Sequence, residues 1–211
     1  MADGTASAAV EGAQSRALDV WAELVVALRE PGLVEAVNAA GTSILQALEA
    51  GSKVIFVGNG GSSAEASHLA AEFVGRCVND RQPLPALALN DSTTITAVGN
   101  DYGFDAVFAR GVRALGAPGD ILVAMSTSGG SPNIIEAMSA ARDKGMTTIA
   151  MTGRRGEHFA AMADHGLIAP SEYTARAQEV HLLWGHGWCE AADAHWLAND
   201  SGPVEPQVTQ G

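Results

Sequence analysis

The sequence predicts an α/β fold in which a mainly parallel sheet is flanked by helices. Four short apolar runs have the length and continuity of strands buried on both faces, at 53–58, 85–90, 121–126 and 147–152. A weaker run lies at 165–169. Helical patterns separate these runs, and strands that alternate with helices at this spacing indicate βαβ units and a parallel sheet.

Two helices are predicted ahead of the first strand. In the first, apolar residues recur at helical spacing over 14–29, and Pro31-Gly32 ends it. The second carries an apolar stripe from Leu33 to Leu48 and stops at Gly51. Residues 1–13 are small and polar, so we expect a disordered tail there.

The remaining helices are predicted between and after the strands, at 64–75, 105–115, 132–144 and 157–162. A long last helix is predicted from about 175 to 197. With 211 residues, the chain has room for one compact domain, which we place at 14–199. We expect a second disordered tail over 200–211.

Charge and composition exclude several classes of function. The chain has 24 acidic and 12 basic residues, a net charge of -12, which argues against nucleic-acid and membrane partners. Lys53 and Lys144 are the only lysines, so an anion site has to rely on Arg, backbone N–H groups or hydroxyls. Cys77 and Cys189 lack the spacing of a disulfide framework or a thiolate zinc site. Because the sequence shows no secretory signal and no bilayer-spanning run, we expect a cytoplasmic protein.

A glycine-rich segment, Gly58-Asn-Gly-Gly-Ser-Ser63, follows the first predicted strand and precedes a helix. Glycines let the backbone approach a ligand, and a helix N-terminus offers free N–H groups and a positive dipole end. The match to the dinucleotide fingerprint is weak, and no Lys-Ser/Thr of a Walker A loop follows. An ordinary strand-to-helix turn is the alternative interpretation.

A serine-rich segment, Ser126-Thr-Ser-Gly-Gly-Ser-Pro132, follows the third predicted strand. Ser131 is suited to cap a helix and Pro132 to begin it. The hydroxyls of Ser126, Thr127, Ser128 and Ser131 therefore precede a helix start, which makes a neutral cradle for a phosphate monoester. The alternative is a serine-rich turn with a single cap.

Three weaker patterns also carry possible chemistry. Asn100 and Asp101 could hold sugar hydroxyls, but the flanking glycines favour an ordinary turn. His68 and Glu72 are four residues apart and share a helix face, so they could chelate a divalent ion, although a surface hydrogen bond is the commoner role. Histidines on the last predicted helix, at 181, 186 and 195, are usually structural in such a setting.

The combined motifs resemble those of the phosphoheptose isomerases, also called sedoheptulose-7-phosphate isomerases, within the sugar isomerase (SIS) domain family. Five motifs occur in the family's order between about 50 and 186, the last being Arg176-x-Gln-Glu-x-His181-x4-His186. The resemblance implies a single SIS domain with a five-stranded parallel sheet of Rossmann-like or flavodoxin-like type. It also implies two N-terminal helices, a long C-terminal helix and a homotetramer with active sites at subunit interfaces.

The resemblance further implies an aldose–ketose isomerase that converts sedoheptulose 7-phosphate to D-glycero-D-manno-heptopyranose 7-phosphate, the first step of a heptose biosynthesis pathway, without a nucleotide cofactor. Acid/base roles are implied for Glu72 and His186. One zinc per site is implied, with the ligands His68, Glu72, Gln178 and His186. The phosphate contacts implied are Ser126, Thr127, Ser128 and Ser131. The implied contacts to the rest of the substrate are Asn59, Gly60, Gly61, Glu72, Asn100, Asp101 and Gln178.

Three other functions remain open at this point. They are a non-catalytic SIS protein that binds a partner such as a replication initiator, a sugar-phosphate sensor without turnover, and a dinucleotide-dependent oxidoreductase. The presence of both Glu72 and His186 favours the enzyme over the first two. The imperfect glycine fingerprint argues against the third.

The spacing of Gln178 and His186 bears on how a site would be assembled. Eight residues of continuous helix separate them by about 12 Å of rise and about 80° of rotation. Zinc bonds are only about 2.0–2.2 Å long, so one ion would strain both side chains. We therefore expect either a helix break near Gln178 or ligands from two chains. Gly185 and Gly187 favour the second option, because they would let another chain approach His186.

Overall fold

A five-stranded parallel sheet forms the centre of the protein in a computed structural model that describes residues 3–199. The strands run side by side in the order β2-β1-β3-β4-β5, and every neighbouring pair is parallel. Their bounds are β1 Val54–Gly58, β2 Ala86–Ala88, β3 Ile121–Ser126, β4 Thr147–Gly153 and β5 His165–Ala169. The predicted α/β class and the five predicted strand positions are confirmed.

Helices connect the strands and cover both faces of the sheet. Their bounds are α1 Asp3–Ala27, α2 Pro31–Glu49, α3 Gly61–Val74, α4 Ser92–Tyr102, α5 Val107–Leu115, α6 Pro132–Asp143, α7 Glu157–Ala160 and α8 Thr174–Asn199. Short 3₁₀ turns occupy Phe104–Ala106 and Arg154–Gly156. No helix within residues 3–199 is both long and apolar enough to cross a membrane.

Alternate residues of the central strands feed two separate cores. Phe56 and Val123 pack in one core with α2, α3 and α8, whereas Ile55 and Leu122 pack in the other with α5 and α6. Every residue of β1 and β3 is buried, as expected for strands covered on both faces. Strands of this kind hold their carboxyl ends in fixed positions, which is what a ligand site needs.

The first helix starts earlier than the sequence predicts. Helix α1 begins at Asp3, so the predicted disordered tail is wrong for residues 3–13. This segment is rich in alanine, which has the highest intrinsic helix propensity, and the side chains of residues 5–11 are exposed, so no apolar stripe reveals the helix. The predicted tail at 200–211 lies outside the described residues, and the domain bounds 14–199 remain a prediction.

A helix also stands where the sequence favours a turn. Asn100 and Asp101 occupy the last turn of α4, which starts after Asp91 and ends at Gly103. Asp91 caps the helix, because its Oδ1 accepts hydrogen bonds from the backbone N–H (2.8 Å) and the hydroxyl (2.9 Å) of Thr94. None of the α4 residues is fully buried, and only Ile95 and Val98 are half-buried against the core, so hydrophobic periodicity gives little signal there.

The strand order places two loops side by side. From β1 the chain crosses to β2 on one side, and β3, β4 and β5 follow on the other side, so the order reverses between β1 and β3. Ligands of open parallel sheets bind at such a reversal, beyond the carboxyl ends of the strands. Gly58 pairs in register with Met125, so the glycine-rich and serine-rich loops leave the sheet next to each other.

Candidate active site

A cavity of about 300 Å³ opens between the loops that follow β1 and β3. It unites residues from two motifs that are far apart in the sequence. The predicted site residues in its lining are Asn59, Gly60, Gly61, Ser126, Thr127, Ser128, Ser131 and Gln178. Ser62, Met125 and Thr174 complete the lining.

The serine-rich loop has the geometry of an anion cradle. Ser131 holds the N-cap position of α6 and Pro132 begins the helix, as predicted. The Ser131 hydroxyl forms no capping hydrogen bond, and instead lies 3.1 Å from the hydroxyl of Ser126. These two hydroxyls therefore lie together beside the positive end of α6, where a phosphate would be stabilised.

Two hydrogen bonds from β4 hold the serine-rich loop in place. The hydroxyl of Thr152 donates a 2.6 Å hydrogen bond to the Ser126 carbonyl, and the Gly153 N–H donates to the Thr127 carbonyl at 3.0 Å. Gly129 has a φ of +70°, a conformation that disfavours other residues. The cradle is thus held open before any ligand arrives.

The two loops are also tied to each other by a pair of asparagines. The Asn59 amide donates to Oδ1 of Asn133 at 2.9 Å, and the Asn133 amide donates back to Oδ1 of Asn59 at 2.9 Å. Asn133 is buried on α6. The sequence did not reveal Asn133 as part of the site, because the contact spans 74 positions.

A second cavity of about 430 Å³ adjoins the first. Gly61 and Gln178 line both, and Glu65 and His68 line the second. The Gln178 amide lies over Gly61, where any Cβ would collide with it, and its Nε2 donates to the Ser62 hydroxyl at 3.3 Å. Gln178 therefore stands at the boundary between the two cavities.

Two histidines from different helices meet beside the second cavity. Nε2 of His68 on α3 lies 2.8 Å from Nε2 of His186 on α8. Oε1 of Glu72 lies 3.8 Å from the same His68 nitrogen. A carboxylate and two imidazoles are therefore gathered within a single chain.

This arrangement corrects one of the two alternatives expected from the spacing of Gln178 and His186. Helix α8 is continuous through both residues, so the predicted break near Gln178 is wrong. His186 meets His68 of its own chain, and a site with ligands from two chains stays a prediction. Gly185, which was expected to admit another chain, packs against Leu69 of α3 instead.

The four predicted zinc ligands are only partly gathered. Imidazole nitrogen and carboxylate oxygen are donors that zinc accepts, and His68, Glu72 and His186 lie together. The Gln178 amide is hydrogen-bonded to Ser62 and stands apart from them. Over residues 3–199, no group of three or more His, Cys, Asp or Glu side chains surrounds a single point closely enough to hold a metal ion.

Asn100 and Asp101 are not brought into either cavity. They are exposed, and the Asn100 amide donates to Oδ1 of Asp101 at 2.8 Å. Eight residues of α4 carry Asn100 about 12 Å along the helix from its start at Ser92. Neither residue contributes to the lining of the site in its own chain.

The sequence did not predict a buried pair formed by Glu65, in the wall of the second cavity, and His181. Oε2 of Glu65 lies 4.0 Å from Nδ1 of His181, and both side chains are more than nine-tenths buried. Burial raises the pKa of Glu65 to about 7 and lowers the pKa of His181 to about 4. In the sequence, Ser62-x-x-Glu65 has the spacing of a capping box, which points to a helix start rather than to a site.

Comparisons with known proteins agree with this geometry. The model of the SIS domain family matches residues 19–153. A phosphoheptose isomerase of Solidesulfovibrio magneticus is 52% identical over 77% of this chain and 79% of its own length. That of Aquifex aeolicus is 48% identical over 82% of this chain and 90% of its own.

Solved structures give the same result. The phosphoheptose isomerase of Neisseria gonorrhoeae is 45% identical, with a TM-score of 0.75 over 86% of this chain and 98% of its own. That of Francisella tularensis is 37% identical, with a TM-score of 0.79 over 88% and 98%. The fold, the paired loops and these likenesses together place the chain in the SIS domain family, among the phosphoheptose isomerases.

Proposed function

We propose that this chain isomerises sedoheptulose 7-phosphate to D-glycero-D-manno-heptopyranose 7-phosphate, and that it does so in the cytoplasm as a homotetramer. One observation carries the proposal: the cavity of the hydroxyl cradle shares Gly61 and Gln178 with a second cavity, which is lined by His68, and His68 contacts His186 and lies beside Glu72. A sugar phosphate bound with its phosphate in the cradle would extend its carbonyl end toward Glu72 and His186.

The reaction needs what this cluster supplies. Isomerisation moves a proton between C1 and C2 of the sugar through an enediol, so it needs a base at carbon and an acid at oxygen. The Glu72 carboxylate is assigned as the base that moves the proton between C1 and C2, and the His186 imidazole gives a proton to one of the two oxygen atoms and takes a proton from the other. Glycines in the first loop let the sugar approach the backbone of residues 59–61 closely.

A divalent cation, zinc by family resemblance, completes the proposal. His68 and His186 would hold it together with Glu72, and Gln178 would join only after its amide turns away from Ser62. When bound, such an ion polarises a carbonyl and stabilises negative charge on oxygen.

The test is an NMR assay of the purified protein with sedoheptulose 7-phosphate, in the presence and absence of added zinc. New signals of a heptose phosphate in the aldose form are expected. Binding without new signals would identify a sensor or a non-catalytic SIS protein. A chain that neither binds nor converts the sugar phosphate would contradict the proposal altogether.

Removing the hydroxyls of the cradle should weaken phosphate binding. We expect the double change Ser126→Ala and Ser128→Ala to raise KM for the sugar phosphate at least tenfold, which corresponds to about 1.4 kcal/mol. Steady-state kinetics measure it, with Ser139→Ala on the exposed face of α6 as the matched control. If KM stays unchanged in the folded double variant, the glycine-rich loop binds the phosphate instead.

We also propose that Asn100 and Asp101 act at an interface between subunits. The resemblance assigns both to the sugar, yet they lie outside the cavities of their own chain. We infer that they reach the site of a neighbouring copy in the tetramer. Glu72 and His186 also lie outside the two linings, but they contact or adjoin His68, which lines the second cavity, so we assign them to the same chain's site.

Hybrid oligomers show whether a residue serves the site of its own chain or that of a neighbouring chain. Inactive Glu72→Gln and Asp101→Asn proteins, unfolded together and refolded as mixtures, are expected to regain activity, because some sites then receive wild-type residues from both chains. The matched mixture of Glu72→Gln with His186→Asn is expected to stay inactive. Recovery in the second mixture alone would reverse the assignment. Inactivity of both mixtures, in confirmed hybrid oligomers, would show that Asp101 also serves its own chain.

A further inference from the structure

From the wall of the second cavity, where Glu65 lies, a row of polar groups runs into the protein interior. The Gln178 amide donates to the Ser62 hydroxyl at 3.3 Å, and the Ser62 side chain is hydrogen-bonded to Glu65. Beyond Glu65, across a gap of 4.0 Å, stands His181, whose Nε2 lies 3.2 Å from the Thr152 carbonyl. Ser62, Glu65 and His181 are each less than one-tenth exposed, so water competes little for their hydrogen bonds.

The Thr152 carbonyl determines which nitrogen of His181 carries a proton. A carbonyl only accepts, so Nε2 has to be the donor. In the neutral imidazole, Nδ1 is then an acceptor, and it faces Oε2 of Glu65. Among the described residues, neither Nδ1 nor Oε2 has a hydrogen-bond partner.

Two acceptors cannot face each other without a proton between them. Oε2 and Nδ1 are 4.0 Å apart, and a side-chain shift of about 1 Å would bring them to hydrogen-bond distance. Burial disfavours charge on both groups, so the neutral arrangement, a carboxylic acid that donates to an imidazole, is favoured over an ion pair. The raised pKa of Glu65 and the lowered pKa of His181 agree with that assignment.

We propose that Glu65 and His181 share one proton and act as positioning residues, which fix the orientation of the Gln178 amide through Ser62. The Glu65 oxygen that is not protonated accepts from the Ser62 hydroxyl, so Ser62 accepts in turn from the amide nitrogen of Gln178. The Gln178 carbonyl oxygen is thereby the atom left for a ligand. This inference rests on the proposed isomerase function, because Gln178 is a site residue only in that setting.

Variants at Glu65 test the direction of the hydrogen bonds. Glu65→Ala is expected to lower kcat/KM at least tenfold. Glu65→Gln should restore activity to within about threefold of wild type, because its amide donates to Nδ1 while its oxygen accepts from Ser62, as the protonated acid does. Glu190→Ala, an exposed change on α8, is the matched control. Equal losses in the Gln and Ala variants would contradict a neutral pair.

A double-mutant cycle tests whether Glu65 acts through Gln178. If it does, adding Glu65→Ala to a Gln178→Ala protein should lower kcat/KM less than twofold further, because the residue that Glu65 positions is already gone. Additive losses would show that Glu65 contributes only to general stability or by another route, and would overturn the positioning role.

Nitrogen-15 NMR of labelled histidine provides a readout that does not depend on turnover. His181, identified as the signal missing from His181→Asn, is expected to be neutral and protonated at Nε2. An imidazolium signal would overturn the proposal even in a fully active enzyme. Wild-type protein without isomerase activity, but with a neutral Nε2-protonated His181, would refute the proposed function and leave the proton-sharing pair standing.

Discussion

Glu72→Gln and His186→Asn are each expected to lower kcat by about 10²–10⁴, the usual cost of removing one acid/base group. Glu72→Gln keeps the size of the side chain, His186→Asn replaces the ring by a smaller amide, and both remove the group that exchanges protons. The helices that carry the two residues are held by other contacts, so both variants should fold. Steady-state kinetics with sedoheptulose 7-phosphate, together with melting temperatures, measure the two effects separately.

Matched changes outside the cluster serve as controls for this prediction. Glu136→Gln lies on the exposed face of α6, and His195→Asn alters a histidine of α8 that pairs with Glu49. Both should retain kcat within about twofold, since surface changes have small effects. Near-wild-type turnover in a folded Glu72 or His186 variant would remove that residue from the acid/base role.

The largest loss of stability is expected from Asp193→Asn. Asp193 and Arg81 form an ion pair of 3.0 Å whose side chains are fully buried. The second carboxylate oxygen accepts hydrogen bonds from the backbone N–H groups of Cys77, Val78 and Asn79 at 2.6–3.1 Å. An asparagine accepts through one oxygen only, so either the buried Arg81 Nε–H or the three backbone N–H groups would face an amide donor and lose their acceptor. We expect a loss of about 3–5 kcal/mol in the free energy of unfolding.

Denaturant unfolding measures this effect, and the same loop provides a control. Asp80→Asn, at an exposed neighbouring position, should change stability by less than about 0.5 kcal/mol. Replacing both Arg81 and Asp193 by apolar residues should not restore stability, because three backbone N–H groups would still lack acceptors. A loss below 1 kcal/mol in Asp193→Asn would show that the loop rearranges to recover its hydrogen bonds.

Local chemistry in the sequence was enough to predict most of the fold and the positions of the glycine-rich and serine-rich loops. Continuous apolar runs predicted the strands, and Ser131-Pro132 predicted the start of α6. Two helices were harder: α4 packs on the core only through the half-buried Ile95 and Val98, and residues 5–11 of α1 are exposed, so periodicity gives little signal there. Intrinsic propensity and the Asp91 cap were the available signals.

The parts of the site that escaped prediction depend on contacts between distant segments. Asn133 meets Asn59, and His181 meets Glu65 and Thr152, only after the sheet and α8 have assembled. The position of His186 illustrates the same limit. The spacing from Gln178 correctly indicated that the two side chains diverge, but it could not show that His68 of the same chain receives His186.

The reciprocal amide bonds between Asn59 and Asn133 restrict how this protein can diverge during evolution. Each amide donates one hydrogen bond and accepts one, so each asparagine needs the other to keep its hydrogen bonds. Aspartate at either position would set two acceptors against each other, and a hydrophobic residue would strand a buried polar group. Substitutions at 59 and 133 are therefore expected to be inherited together or not at all, although one lies in the glycine-rich loop and the other on α6.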